Sequence, residues 1–198
     1  IGAKPIICNI DSSLNMCPKD LIKKITKKTK VIIPVHMLGV SCDMNEIKKI
    51  AKRRDVKILE DNCESVGGKY GAKFLGNTAN IGVLSFDFSK TITTGEGGAI
   101  LTNDQKLYKY CKEYHDHGHQ NNKNFPRGKD TVVYPGFNYR MTEMQAIIGK
   151  EQLKKIEYIL RENKKRYKII NDILKDKFSI RKINKKSTPI YDTFIFKV

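Results

Sequence analysis

This chain has no paired-cysteine motif. Its five cysteines, at 8, 17, 42, 63 and 111, are odd in number and show no Cys-x-x-Cys spacing. That argues against a disulfide framework and for reduced thiols in a cytoplasmic protein. No apolar run approaches the length of a membrane span, and no signal-peptide pattern opens the sequence. There is no internal repeat and no low-complexity linker. Arginine is scarce: 31 of the 38 basic residues are lysines and 7 are arginines, against 21 acidic residues and a net charge of +17. Such an excess invites a nucleic-acid reading, but the commoner base reader and phosphate fork is nearly missing. The lysines are spread along helix-like segments with no RNA- or DNA-binding signature. The charge therefore reads as a solvated basic surface. A basic module binding nucleic acid or anionic glycan without catalysis is kept as the alternative.

What is present suits a soluble globular protein, with 39% hydrophobic and 30% charged residues over a length of 198. That length can bury a core in one domain, or in one domain with a small appendage. Segments alternate in a βαβ manner. Residues 5–10 read as a short strand. Pro18 opens a helix to about Lys28, with Leu21, Ile22 and Ile25 on one face. Residues 31–35 form an apolar strand ending at His36. Asp43-Met-Asn-Glu46 has the form of a capping box and starts a helix to about Arg54. Residues 56–59 read as a strand ending at Glu60-Asp61, and an apolar run over 81–88 leads toward Lys90. Residues 99–102 leave the following glycine-rich turn, and 104–115 are helical.

A second capping box, Thr142-Glu-Met-Gln145, begins a long helical region to about Leu174, with Gly149 as its weak point. Beyond Asp176 short β-like pieces, 178–183 and 193–198, read as the start of a second domain left unfinished. No methionine stands at position 1. The expected organisation is thus residues 1–150 as a partial large domain and 151–198 as a connecting helix and partial small domain. Both ends are expected to be truncated.

Lys90 stands out within Ser85-Phe-Asp-Phe-Ser-Lys90-Thr-Ile-Thr-Thr-Gly-Glu-Gly-Gly98. A lysine fixed between buried strands, beside small residues that leave space, is what Schiff-base chemistry with an aldehyde cofactor needs. His36, Asp61 and Lys90 each lie just past the C-terminal end of a predicted strand, the edge where open α/β sheets bind ligands. Thr94–Gly98 lacks the Walker spacing and reads as a tight turn. His115-Asp-His117-Gly-His119 could be taken for a metal site, but no metal is expected.

The ordered motifs Glu60-Asp61-Asn-Cys-Glu64, Ser85-x-x-x-x-Lys90, Thr94-Gly-Glu-Gly-Gly98 and Gly136-Phe-Asn138-Tyr-Arg140-Met-Thr-Glu-Met-Gln-Ala146 resemble the DegT/DnrJ/EryC1/StrS family of sugar aminotransferases. Pro34-Val-His36-Met-Leu-Gly39 fits the same pattern. The resemblance implies the α/β aspartate-aminotransferase-like fold: a large-domain sheet with flanking helices, plus the start of a smaller α+β domain. It implies pyridoxal 5'-phosphate as cofactor. Lys90 would hold it and later move the substrate proton, Asp61 would pair with its ring nitrogen, and Ser85 would donate to its phosphate. Glu64 stands where the family usually has glutamine or histidine near the ring oxygen, so its role is open. Asn138 would reach the phosphate of a neighbouring subunit, making the site shared across a homodimer. His36 and His117 are candidate substrate-facing residues, and Arg140 is either structural or substrate-facing.

The family acts on keto-sugars with glutamate as the usual donor. The resemblance implies a nucleotide-linked keto-deoxysugar as acceptor, or an 8-oxo-octulosonate, since the Tyr114–Asn122 and Pro126–Thr131 segments also resemble the branch that aminates that sugar acid. The family's dehydratases replace the lysine with histidine, and Lys90 argues against that branch. The family's phosphate-binding helix N-terminus would lie before Ile1, so this chain alone is expected to bind the cofactor poorly.

Overall fold

The computed structural model describes residues 1–198. Its elements are α1 (Pro18–Lys24), β1 (Val31–Ile32), α2 (Met44–Arg54), β2 (Lys57–Asp61), β3 (Lys69–Tyr70), β4 (Lys73–Phe74), β5 (Ile81–Ser85), β6 (Gly98–Leu101), α3 (Gln105–Tyr114), α4 (Glu143–Leu174), β7 (Ser179–Ile180), β8 (Ser187–Thr188) and β9 (Phe196–Lys197). The main sheet has the order β1-β2-β5-β6. Its first three strands run parallel and β6 returns antiparallel to β5. Apolar side chains of α1 and α2 cover one face. Leu21, Ile25, Met44, Ile47, Ile50 and Ala51 pack there on Ile32, Val56 and Ile58. This burial of a helical stripe on a strand face is the main apolar stabilisation of the fold.

Most expected elements form, and the exceptions have local causes. No strand forms over 5–10. Ile10 makes only an isolated bridge to Met16, and Ile6 and Ile7 are exposed, so no neighbouring strand completes a ladder. α1 stops at Lys24 rather than Lys28. Threonine hydroxyls there compete for the backbone: Thr26 N–H donates to Thr29 Oγ1 and Lys28 N–H to Thr26 Oγ1. At α2 the capping box is half formed. Asp43 accepts from Glu46 N–H, but the Glu46 carboxylate pairs with Lys49 instead of reaching back. At α4 both halves of the box are present.

α4 runs unbroken through Gly149. That glycine permits a close approach instead of weakening the helix. A Cβ on it would lie 2.9 Å from Thr94 Cγ2, and one turn earlier Gln145 Nε2 donates to Glu96 O at 2.9 Å. Gly149→Val should therefore destabilise the protein by about 1–3 kcal/mol, opposite to what helix propensity favours. A drop in the urea midpoint would show it.

The segment after α4 does not stay apart. β7 and β9 pair with each other, but β8 adds to β3 and Ile190 is completely buried. Residues 187–193 thus pack onto the part of the chain that carries the parallel strands.

Candidate active site

Asp61 closes β2, and Ser85 closes the adjacent parallel strand β5 two residues beyond the Asp61↔Val83 pair. Parallel pairing therefore puts a carboxylate and a hydroxyl side by side at one sheet edge. After Ser85 the chain turns, with Lys90 N–H donating to Asp87 O. Lys90, Cys63, Glu64, Leu38 and Thr91 line a cleft together with Asp192; Asp61 and Ser85 stand at the strand ends and do not line it. Lys90 Nζ lies 4.0 Å from Glu64 Oε1, and the lysine side chain retains 23% exposure.

Asp61 and Ser85 each keep hydrogen-bonding capacity to spare. Asp61 Oδ1 accepts from Cys63 N–H at 3.1 Å, while no backbone N–H reaches Oδ2. Ser85 Oγ accepts from Asp87 N–H at 3.3 Å, which leaves its hydroxyl proton to donate. Burial, followed by the neighbouring Asp61, pushes the Cys63 thiol up to about 11, so it stays protonated beside the lysine. A primary amine, a free carboxylate oxygen and a free hydroxyl donor match an aldehyde, a protonated ring nitrogen and a phosphate. The residues present fit pyridoxal phosphate.

Glu64 has a second task. Its Oε2 accepts from Leu38 N–H at 3.0 Å. Leu38 is a non-glycine residue in the left-handed region (φ 49°, ψ 52°), a conformation that persists only when its surroundings hold it. Arg181 supplies more of that hold, donating to Leu38 O and Met37 O.

His36 does not reach this cleft. Its side chain is fully buried, with Nε2 3.0 Å from Glu60 Oε2. Its Nδ1 accepts from Cys42 N–H at 3.2 Å, which sets the ring proton on Nε2, pointing at Glu60. The expectation of a substrate-facing histidine is corrected. The strand end that carries it turns into the core, where Glu60 needs a donor.

Arg140 is likewise committed elsewhere. Its Nη1 donates to Asp116 Oδ1 at 2.6 Å, and Arg127 makes a two-pronged pair with the same carboxylate. First through Arg127, the two guanidiniums hold the Asp116 carboxyl well below the usual carboxylate range. This cluster ties the loop of residues 116–140 together. Arg140→Ala should speed hydrogen exchange across that loop while changing global stability by about 1 kcal/mol or less. Asn138 pairs with Asp116 in an isolated bridge and is exposed, as is His117, whose φ is +56°. Neither lines the Lys90 cleft.

A model of the DegT/DnrJ/EryC1/StrS aminotransferase family matches residues 1–194. The chain belongs to this family. GDP-perosamine synthase of Escherichia coli O157:H7 is 36% identical over 195 residues, which is 98% of this chain and 51% of that protein. The solved Helicobacter pylori aminotransferase involved in pseudoaminic acid biosynthesis aligns with a TM-score of 0.90 at 29% identity, covering 98% of this chain and 52% of that one. The E. coli GDP-4-keto-6-deoxy-D-mannose-3-dehydratase, solved with bound hydrated PLP, aligns at 0.82 and 31% identity, covering 96% and 52%. The chain spans about half the length of these relatives. The DegT/DnrJ/EryC1/StrS family is one of pyridoxal-phosphate-dependent sugar aminotransferases, and the fold of this chain is theirs. No helix is long and apolar enough to cross a membrane.

Sequence reasoning missed Asp192, Thr193 and Leu38 as cleft residues. No motif marks Asp192 or Thr193, and Leu38 lies within Pro34–Gly39 without any chemical group that singles it out. Asp192 comes from a distant segment that reads as a separate domain, and only the return of β8 to β3 brings it in.

Proposed function

We propose that this chain is part of a longer, cytoplasmic aminotransferase that moves an amino group from glutamate to a keto-sugar. The acceptor is a nucleotide-linked keto-deoxysugar or an 8-oxo-octulosonate, serving amino-sugar or cell-surface polysaccharide synthesis such as lipopolysaccharide. The observation that carries this reading is Lys90, set in a cleft just beyond two strand ends that offer Asp61 Oδ2 and the Ser85 hydroxyl. Residues 1–150 would be part of the cofactor-binding domain, and 151–198 the connecting helix with the start of a smaller domain.

Bound pyridoxal phosphate would supply an aldehyde and an electron-withdrawing ring for the electrons left behind when a carbon-bound proton departs. The protein's residues do the rest. Lys90 would hold the cofactor through its amine. Once displaced by the amino donor, the free Lys90 amine would act as the base that takes the proton from the substrate carbon and as the acid that returns it. Asp61 would accept a hydrogen bond from the ring nitrogen and keep it protonated. Ser85 would donate to the phosphate. Glu64, anchored by Leu38 N–H, would stand beside the lysine and limit where its amine can swing.

The dehydratases among the relatives make a second chemistry conceivable on this fold. The lysine at position 90, in place of that branch's histidine, favours amino transfer. Asn138 and His117 are exposed. In a homodimer with shared sites they would serve the neighbour's cleft, and the exposed apolar side chains of α4, Met144, Ile147 and Ile148, fit burial against further protein.

The test uses the full-length protein with glutamate and a panel of keto-sugars. Conversion of one of them to its amino sugar, with the cofactor trapped on Lys90 by borohydride, supports the reading. Cofactor trapped on another lysine, or not at all, counts against it.

A further inference from the structure

The return of the C-terminal segment brings a new side chain into the cleft. Ile190 N–H donates to Gly39 O at 3.1 Å. The approach is close enough that a Cβ on Gly39 would lie 2.6 Å from Ile190 Cγ1 and 3.0 Å from Asp192 Oδ1. Docked this way, Asp192 lines the same cleft as Lys90 and Glu64. Its carboxylate is poorly served by the protein. Thr91 Oγ1 at 3.4 Å and Thr193 Oγ1 at 3.3 Å are both long contacts. The cleft's cation stands by Glu64 instead. Partial desolvation raises the carboxyl's pKa, and the charge of Glu64 adds in the same direction.

We propose that Asp192 is a specificity-determining residue of the Lys90 site, accepting hydrogen bonds from the hydroxyls of a neutral sugar ring and opposing a carboxylate at the same place. The proposal rests on the aminotransferase reading. A carboxylate with unused lone pairs makes stronger hydrogen bonds to hydroxyls than a neutral acceptor does. With the lysine engaged, the two carboxylates leave this wall of the cleft without a cation, and a second anion there meets repulsion.

The experiment uses the full-length, cofactor-loaded protein and its Asp192→Asn variant. UDP-glucose and UDP-glucuronate, which differ at C6 of the sugar where a hydroxymethyl group is replaced by a carboxylate, are titrated into each by calorimetry. The parent should bind the neutral sugar about tenfold more tightly, roughly the worth of one hydrogen bond to a charged group, and the variant should lose most of that preference. In turnover, Asp192→Asn should raise the KM of the keto-sugar and lower that of glutamate, whose carboxylate meets the same charge, with little change in kcat. A merely structural role would not move the two in opposite directions. Equal discrimination in the two proteins, or no binding of either sugar, overturns the proposal. If glutamate's amino group is not transferred at all, the aminotransferase reading falls instead.

Discussion

Lys90→Ala in the full-length protein is expected to abolish covalent attachment of the cofactor and to lower amino transfer by at least about a thousandfold. The loss has two sources. The amine is the only group in the cleft able to condense with an aldehyde, since the Cys63 thiol is held protonated with its pKa pushed up to about 11. The same amine is the proton carrier, and a positioned acid–base group contributes about a hundred- to ten-thousandfold by itself. Lys90→Arg keeps the charge beside Glu64 Oε1, 4.0 Å away, but removes the nucleophile, so it should be as inactive as the alanine variant. Loss of the visible band of lysine-held cofactor, and of the borohydride-trapped peptide, would be read in parallel with turnover. Retention of more than about a tenth of the activity in either variant would reject Lys90 as the cofactor lysine.

The largest stability effect is expected at Glu60. Its side chain is fully buried, yet it accepts from His36 Nε2 at 3.0 Å, Gly76 N–H at 3.1 Å, Thr78 N–H at 2.7 Å and Ala79 N–H at 2.6 Å. Burial alone would raise its pKa. The hydrogen bond from His36, with donors from Thr78 and Gly76, outweighs burial and lowers it from the ordinary 4.5. Glu60→Ala strands three backbone donors and a buried imidazole, and should cost about 3–5 kcal/mol. The sign with pH follows from the depressed pKa. The stabilisation is fully present above about 4.5, where the unfolded carboxyl is ionised, and is lost as pH falls through the lower folded value. Urea midpoints between neutral and strongly acidic pH should therefore fall more steeply in the parent than in Glu60→Gln. A variant within about 1 kcal/mol of the parent would show that another interaction holds the 75–79 turn.

Glu60 also explains why the candidate site was only partly legible in the sequence. Its neighbour Asp61 was recognisable because it ends a strand inside a motif, and Ser85 and Lys90 for the same reason. Their local context carries the information: an apolar run, a sharp exit, a reactive group. His36 met the same criterion and yet belongs to the core. Whether a residue at a strand end faces the cleft or the interior depends on what needs a partner there, and a buried carboxylate one strand away is invisible to periodicity. Arg140 repeats the lesson, because its acceptor Asp116 lies 24 positions back in the chain. Gly149 reverses it. Propensity marks it as a weak point, while packing against Thr94 makes a small side chain the one that fits.

The sequence by itself determined the α/β class, the helix starts at Asp43 and Thr142, the family, and which lysine, carboxylate and hydroxyl are the candidates at the sheet edge. These depend on contacts within a turn or within one βα unit, where spacing along the chain translates directly into position. Only the tertiary structure decided that His36 and Arg140 are spent on buried carboxylates, that Glu64 holds a strained Leu38, and that Asp192 completes the wall beside Lys90. Those outcomes depend on which distant segments meet, and that is settled by burying apolar side chains such as Ile190 and by pairing buried carboxylates such as Glu60 and Asp116.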